Sequence, residues 1–258
     1  MPTVRSVVFI IGVWLLMSRT YAFNYDCSSF LRTITRDVVD IHKYIFSTDS
    51  LIVLAACAPV YGITRSYDCN IHSYFYDYKK HRNIRQLPSW CPYFASKVPT
   101  VPFLVTAGLA LGAADYELRT TAQVFWTGLP CCGIAKKLLK KIPFCGSIRP
   151  YSQYFKRKKV FGGFPSGHVA TVAYMTTLFG KRFGASWGIP LGLLSSFIAA
   201  EFTICNRHFA SQVVAGAALG IIYGLASDKL VTQKIASSFS WHITADSRTT
   251  AFSCTYAF

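Results

Sequence analysis

Acid is what this 258-residue chain lacks: 11 Asp and Glu stand against 27 Lys and Arg, a formal charge of +16. Charge of either sign is itself scarce, at 15% of residues, while 52% are hydrophobic, 16% are aromatic and the mean hydropathy is +0.32. So apolar a composition excludes a disordered chain, which needs low hydrophobicity and dense charge. The basicity comes from missing acid rather than from abundant surface charge, which argues against a nucleic-acid-binding domain. No CxxC and no Cys/His spacing of the zinc type occurs, so neither a metal nor another cofactor is expected. The N-terminal apolar run is short as well: residues 7–17 are too few to cross about 30 Å of hydrocarbon at about 1.5 Å per residue. With Arg5 ahead of that run and small or neutral residues up to Ala22, residues 1–22 read as a secretory signal or as an anchor that stays uncleaved.

What remains is a membrane protein or a very apolar helical bundle with a concentrated positive site. The acid deficit is local, because no Asp or Glu lies between Glu117 and Glu201. That stretch holds twelve basic residues, nine of them at 136–159. Such an uncompensated field suits a phosphate or a lipid headgroup; it equally fits a cytoplasmic loop that obeys the positive-inside rule. Nine cysteines suit an exported chain, and their odd number leaves at least one unpaired within a single molecule. Cys69 and Cys91 bracket a polar aromatic stretch and form the expected disulfide, whereas Cys131 and Cys132 lie in an apolar run and read as buried thiols.

Apolar segments at 51–66, 95–114, 118–135, 166–180, 184–204 and 208–226 predict an all-α, six-helix bundle, membrane-embedded, within a domain spanning 23–230. Gly216, Gly220 and Gly224 recur every four residues in the last segment, which lets a neighbouring helix come close. Two polar connections interrupt the bundle, an aromatic and basic one at 65–90 and a strongly basic one at 136–164. At 231–258, Phe239, Trp241 and Ile243, then Phe252, Cys254 and Tyr256, alternate with small or polar residues around Asp246-Ser247-Arg248, a β-hairpin pattern.

Three short patterns fall where helices begin or end: Arg149-Pro150, Pro165-Ser166-Gly167-His168, and Arg207-His208 followed by Gln212 to Gly216. Each has a use around a phosphate. The first backbone N–H groups of a helix lack intrahelical acceptors, and a phosphoryl group can take them where Gly167 permits close approach and Ser166 adds a hydroxyl. Arg149 offers a planar fork to two oxygens, and Lys141 a point charge. His168 stands where it can hand a proton to a leaving oxygen, and His208 can attack if its second ring nitrogen is held by an acceptor. The other four histidines, His42, His72, His81 and His242, have no such setting.

Together these patterns resemble the type 2 phosphatidic acid phosphatase superfamily, which includes bacterial acid phosphatases and vanadium haloperoxidases. The resemblance covers roughly 95–226. It implies His208 as a nucleophile forming a phosphohistidine, His168 as the general acid, and Arg149, Ser166 and Gly167 as the phosphate cradle, with a lipid phosphate or pyrophosphate as substrate. The sequence departs from that family's pattern at three places. The lysine expected seven residues before Arg149 is Ile142, so Lys141 must reach in through an irregular backbone. The Ser-Arg pair expected seven and six residues before His208 is Glu201-Phe202, and Arg207 can supply the missing cation only if the chain there leaves regular helix. The usual Asp after the histidine is Gln212, whose amide oxygen can orient an imidazole without stabilising its cation, as in glucose-6-phosphatase-like members. Glu201 either pairs with Arg207 or His208, or simply balances a nearby cation. A non-catalytic protein of the same fold that binds anionic lipid, and a vanadate-dependent haloperoxidase, are the alternatives. Helix counting puts 67–94, 136–165 and 205–207 on one face; positive-inside reasoning makes that face cytoplasmic, and resemblance to bacterial lipid phosphatases makes it the periplasmic face of the cell envelope.

Overall fold

A computed structural model describes residues 27–80, 82–84, 87–88, 90–97, 99–150, 161–246 and 249–256. The expected signal segment, residues 1–22, and the basic run at 156–159 lie outside the described residues, as does the Ser247-Arg248 turn. The helices are α1 (Cys27–Ile45), α2 (Thr48–Phe75), α3 (Trp90–Lys97), α4 (Thr100–Gly112), α5 (Tyr116–Lys141), α6 (Gly167–Phe183), α7 (Ala185–Ile204) and α8 (Ala210–Ser238). Two short strands, β1 (Tyr76–Asp77) and β2 (Arg82–Asn83), pair between α2 and α3. The chain continues from α8 into the antiparallel hairpin β3 (Phe239–Asp246) and β4 (Thr249–Tyr256), with Phe239 opposite Tyr256; the alternating residues form the hairpin, while residues 231–238 of the expected 231–258 extension belong to α8.

The expected helical bundle is present, with α1 as a further helix at its N-terminal side and α2 running on through Phe75 into what reads as a loop. The cause is an inverted face. On α2 the polar Asp68 and His72 are buried, while Ile63 is 62% and Tyr67 55% exposed. A periodicity search that seeks apolar residues inside cannot detect a helix whose polar residues point inward. Apolar side chains also face outward on α4 (Val101, Leu104) and α7 (Ile189, Leu193). Three helical stretches are long and apolar enough to cross a membrane: Trp90–Gly112, which takes in α3 and α4, Ala185–Ile204 and Ala210–Ser238. The pair Leu31–Ile45 and Thr48–Phe75, bent by 51°, is a fourth if counted as one span. Outward apolar faces on helices of this length belong in hydrocarbon, and the protein is a membrane protein.

The core forms where α6 lies against α8, with α5 packed beside them. Tyr174, Phe125, Phe179 and Leu178 are wholly buried, and the Tyr174 hydroxyl bonds Ser227 Oγ at 2.8 Å. The glycine ladder of α8 makes this contact: a Cβ on Gly216 would lie 2.5 Å from the Ser166 carbonyl oxygen, and one on Gly220 would run into that of Ala170. At the far end of α8, Asp228 pairs with Lys181 and Arg182, Lys229 with Asp49, and Lys234 with Asp37. From Gln212 to Asp228 and Lys234 the helix climbs about 24 to 33 Å at about 1.5 Å per residue. The two polar ends of α8 are therefore about one hydrocarbon thickness apart. Acids balance the cations at one end; the other end holds the candidate site.

Candidate active site

The site is built at the break between α7 and α8. After Ile204 the chain turns through Asn206, whose φ of +53° is a left-handed conformation that Asn tolerates better than most residues. The Asn206 amide donates to Asn83 Oδ1 at 3.2 Å, which fastens the β1–β2 hairpin to the turn. The Phe202 carbonyl accepts from both the Arg207 and His208 N–H groups, at 2.9 and 3.1 Å. The chain at Arg207 has thus left regular helix, as its use in place of a motif arginine requires.

His208 is buried, with both ring nitrogens engaged. Nδ1 lies 3.1 Å from Gln212 Oε1, and Nε2 lies 3.4 Å from an Arg149 guanidinium nitrogen. The Gln212 amide nitrogen donates to the carbonyls of Gly146 and Ile148, at 2.9 and 2.7 Å. Its oxygen therefore faces His208 as an acceptor and requires a proton on Nδ1. Nε2 is left with its lone pair, the state a nucleophile needs. Gln212 also ties the histidine to the segment that carries Arg149, and Gly163 makes room for it, since a Cβ there would lie 2.6 Å from the amide. Gln212→Glu puts a carboxylate against two carbonyls that have lost their donors. The expected outcome is a loss of about 2 kcal/mol, seen as a lower thermal midpoint in detergent; an unchanged midpoint contradicts this arrangement.

Four cations surround the histidines. Arg149 donates to the carbonyls of Arg207 and Gly162, at 3.2 and 3.1 Å, and Lys140 donates to Gly162 O at 2.9 Å. Lys136 reaches Thr171 Oγ1 at 3.0 Å, and the guanidinium of Arg207 lies 3.5 Å from Glu201 Oε1. Lys141, the lysine expected from sequence, is exposed. The reason is helical phase: α5 remains regular to its last residue, so Lys136 and Lys140 share a face one turn apart and Lys141 is turned about 100° from it. Glu201 is buried, and its cation is Arg207 rather than His208.

Ser166 and Gly167 open α6, with Ser166 wholly buried beneath Gly216 and its hydroxyl without a hydrogen-bond partner among the described residues. The Ser166 N–H is taken by the Gln212 carbonyl at 2.9 Å, and the first intrahelical bond is Ala170 N–H to Ser166 O at 3.0 Å. The N–H groups of Gly167, His168 and Val169 thus form the helix opening, between the stems of Lys136 and Lys140 that flank Gly167. Although solvent reaches His168, desolvation and repulsion from Lys136, Arg207, Lys140 and Arg149 push its imidazole down to about 4. Burial, then Arg149 and Lys140, hold His208 well below the usual histidine range against the opposing bond to Gln212. Both rings are therefore neutral at pH 7. Burial and the neighbouring Arg149 and Lys136 bring Lys140 down to about 8.

Sequence reasoning missed Asp68. This carboxylate of α2 accepts from the Ser211 N–H at 3.0 Å, from the Ser211 hydroxyl at 2.5 Å and from Arg65 at 3.0 Å. It holds the first turn of α8 three residues after His208. His72, to which no role was given, packs on Phe209 in the same layer. The signal available in the sequence is that Asp68 is the only acid between Asp49 and Asp77. Cys69 and Cys91 are both free thiols, one exposed and one buried, which overturns the expected disulfide; Cys131 and Cys132 are buried thiols. Among the described residues no three His, Cys, Asp or Glu side chains gather into a metal-ligand set.

Residues 124–236, which contain the Arg149, Ser166 to His168 and His208 to Gly216 patterns, match the family model of the PAP2 superfamily. The lipid A 1-phosphatase of Porphyromonas gingivalis is 41% identical over 64 residues, which are 24% of this chain and 14% of that protein's length. A transmembrane PAP2-type phosphatidylglycerolphosphate phosphatase from Bacillus subtilis superposes with a TM-score of 0.44 at 17% identity, over 72% of this chain and 94% of that one.

Proposed function

We propose that this chain, whose residues 124–236 match the PAP2 superfamily model, is a member of that superfamily and a membrane-embedded hydrolase of lipid phosphates or pyrophosphates that works through a phosphohistidine on His208. The observation that carries this reading is the doubly held imidazole of His208, with Nδ1 on Gln212 and Nε2 directed at Arg149. The 41% identical segment of a lipid A 1-phosphatase supports a phosphorylated lipid as the substrate class.

In this mechanism Lys140, Arg149 and Arg207 neutralise the phosphoryl oxygens, and the amides at the start of α6 complete the cradle. His208 Nε2 attacks phosphorus in line, and the bond to the leaving oxygen breaks as His168 protonates it. His168 is neutral in the empty site, so its proton arrives with the substrate: a dianionic phosphate beside the ring raises its pKa, and a monoanionic one brings the proton itself. Water then attacks the phosphohistidine, returning neutral His208 and releasing phosphate. Positioning and electrostatic stabilisation supply most of the acceleration.

Phosphate release from micelles of lipid monophosphates and lipid pyrophosphates tests the assignment, and no release from either class removes it. The pH profile adds a sharper test. Lys140 is a cation below about 8 and loses its charge above it, so kcat/KM falls as pH rises through that value. Arginine stays charged across the range. Lys140→Arg is accordingly expected to move the alkaline fall upward by at least about one pH unit, and an unmoved limb rules out Lys140 as its source.

A further inference from the structure

Where the type 2 phosphatidic acid phosphatase pattern places an arginine, this chain has Phe202, and that ring is at the centre of the site. Phe202 is 2% exposed and belongs to a small core cluster with Ala95, Val169, Val172 and Ile198. Its ring lies nearly parallel to that of His208, at 22° with centroids 5.9 Å apart, and meets His168 edge-on, at 81° and 5.0 Å. The Arg207 guanidinium stands 5.2 Å from its centroid. Its carbonyl accepts the N–H groups of Arg207 and His208. One residue therefore touches both histidines and the arginine that follows the turn, from a rigid position in the core.

We propose that Phe202 is a positioning residue: its ring sets the orientation of both imidazoles and carries Arg207, so that an aromatic and a displaced arginine together do what the absent arginine would do. Its consequence for turnover rests on the phosphatase reading above; its effect on the rings does not. A stacked face and an edge contact each restrict rotation of an imidazole, and the face of a phenyl ring attracts a guanidinium. Leucine at this position keeps the apolar packing against Val169, Val172 and Ile198 and removes both ring contacts. Displacing catalytic groups by a fraction of an ångström reduces chemistry more than binding.

The test compares wild type, Phe202→Leu and Phe202→Tyr in detergent, using steady-state kinetics on a short-chain lipid phosphate and imidazole NMR signals of histidine-labelled protein. The signals are assigned by their loss in His168→Ala and His208→Ala. For Phe202→Leu, kcat is expected to fall about tenfold to a hundredfold with KM within about threefold, and both imidazole signals to move. Phe202→Tyr, which keeps the ring, retains kcat within about threefold. Unchanged kcat in Phe202→Leu, or lost kcat with unmoved imidazole signals in either variant, overturns the proposal. If Phe202→Leu does not fold, Phe202→Tyr decides by the same pairing of kcat with imidazole signals. If wild type releases no phosphate, the phosphatase reading fails by itself, and the signals alone decide: movement of both upholds the positioning role, and no movement overturns it.

Discussion

Replacing His208 with alanine is expected to reduce phosphate release by about 10⁴-fold or more, because it removes the Nε2 lone pair that the Gln212 bond to Nδ1 orients toward Arg149. The fold survives this change. The Gln212 oxygen keeps the Phe209 N–H at 3.3 Å, and the Gln212 amide donors keep their two carbonyls. The stability cost is therefore that of two hydrogen bonds and a cavity, about 2–3 kcal/mol, and the protein in detergent still unfolds cooperatively at a moderately lower midpoint. A mixing experiment with labelled substrate supplies the decisive readout. Wild type quenched within one turnover carries acid-labile label, as expected of phosphohistidine, and His208→Ala carries none. Turnover by His208→Ala at even a tenth of the wild-type rate would end the case for this nucleophile.

The largest effect on stability is expected at Gly220, where a single methyl group meets the carbonyl oxygen of Ala170, with Ala173 Cβ and Tyr174 N both 2.8 Å away. Two of these three are backbone atoms, so relief requires α6 and α8 to part along the contact that forms the core. Gly220→Ala is expected to cost about 3 kcal/mol, even though alanine is the better helix former by about 1 kcal/mol. Gly108 on α4 is the matched control, with nothing within 4 Å of its Cβ position; Gly108→Ala gains the propensity term alone and is neutral or slightly stabilising. Thermal unfolding in one detergent, with phosphate release after cooling as a measure of recovery, compares the two. Equal midpoints would show that α6 and α8 do not approach as closely as described.

These effects arise at residues that differ in how far the sequence discloses them. The glycine ladder was legible because a four-residue repeat in a helix can do little except admit a neighbour. That His168, Arg149 and His208 gather in one place was legible because all three lie in short patterns at expected helix ends. Lys141 misled because motif spacing counts residues, whereas a helix presents every third or fourth; with α5 regular to its end, Lys136 and Lys140 face the site. Phe202, Ile142 and Gln212 appeared as losses and as support for a protein without catalysis. In the fold, Gln212 anchors the Arg149 segment to His208, and the turn at Asn206 brings Arg207 to the face of Phe202. Asp68 was hidden because it lies 143 residues before its partner Ser211, in a stretch whose aromatic and basic character reads as a loop.

The sequence by itself determined that this is an apolar helical protein with one uncompensated cationic region, a close contact on its last helix and a terminal hairpin, because composition, charge and periodicity are properties of local chain. It also determined which residue types are present to meet a phosphate. Only the tertiary structure decided which cations face the histidines, which ring nitrogen of His208 is held, and that the Phe202 ring meets both histidines and Arg207. Those matters depend on helical phase and on one left-handed turn, which together bring α2, α5, α6 and α7 to the start of α8. The deficit of acid that distinguishes the chain has a counterpart in space: Asp37, Asp49 and Asp228 hold ion pairs at one end of α8, and Lys136, Lys140, Arg149 and Arg207 gather near His208 at the other, where Glu201 faces Arg207.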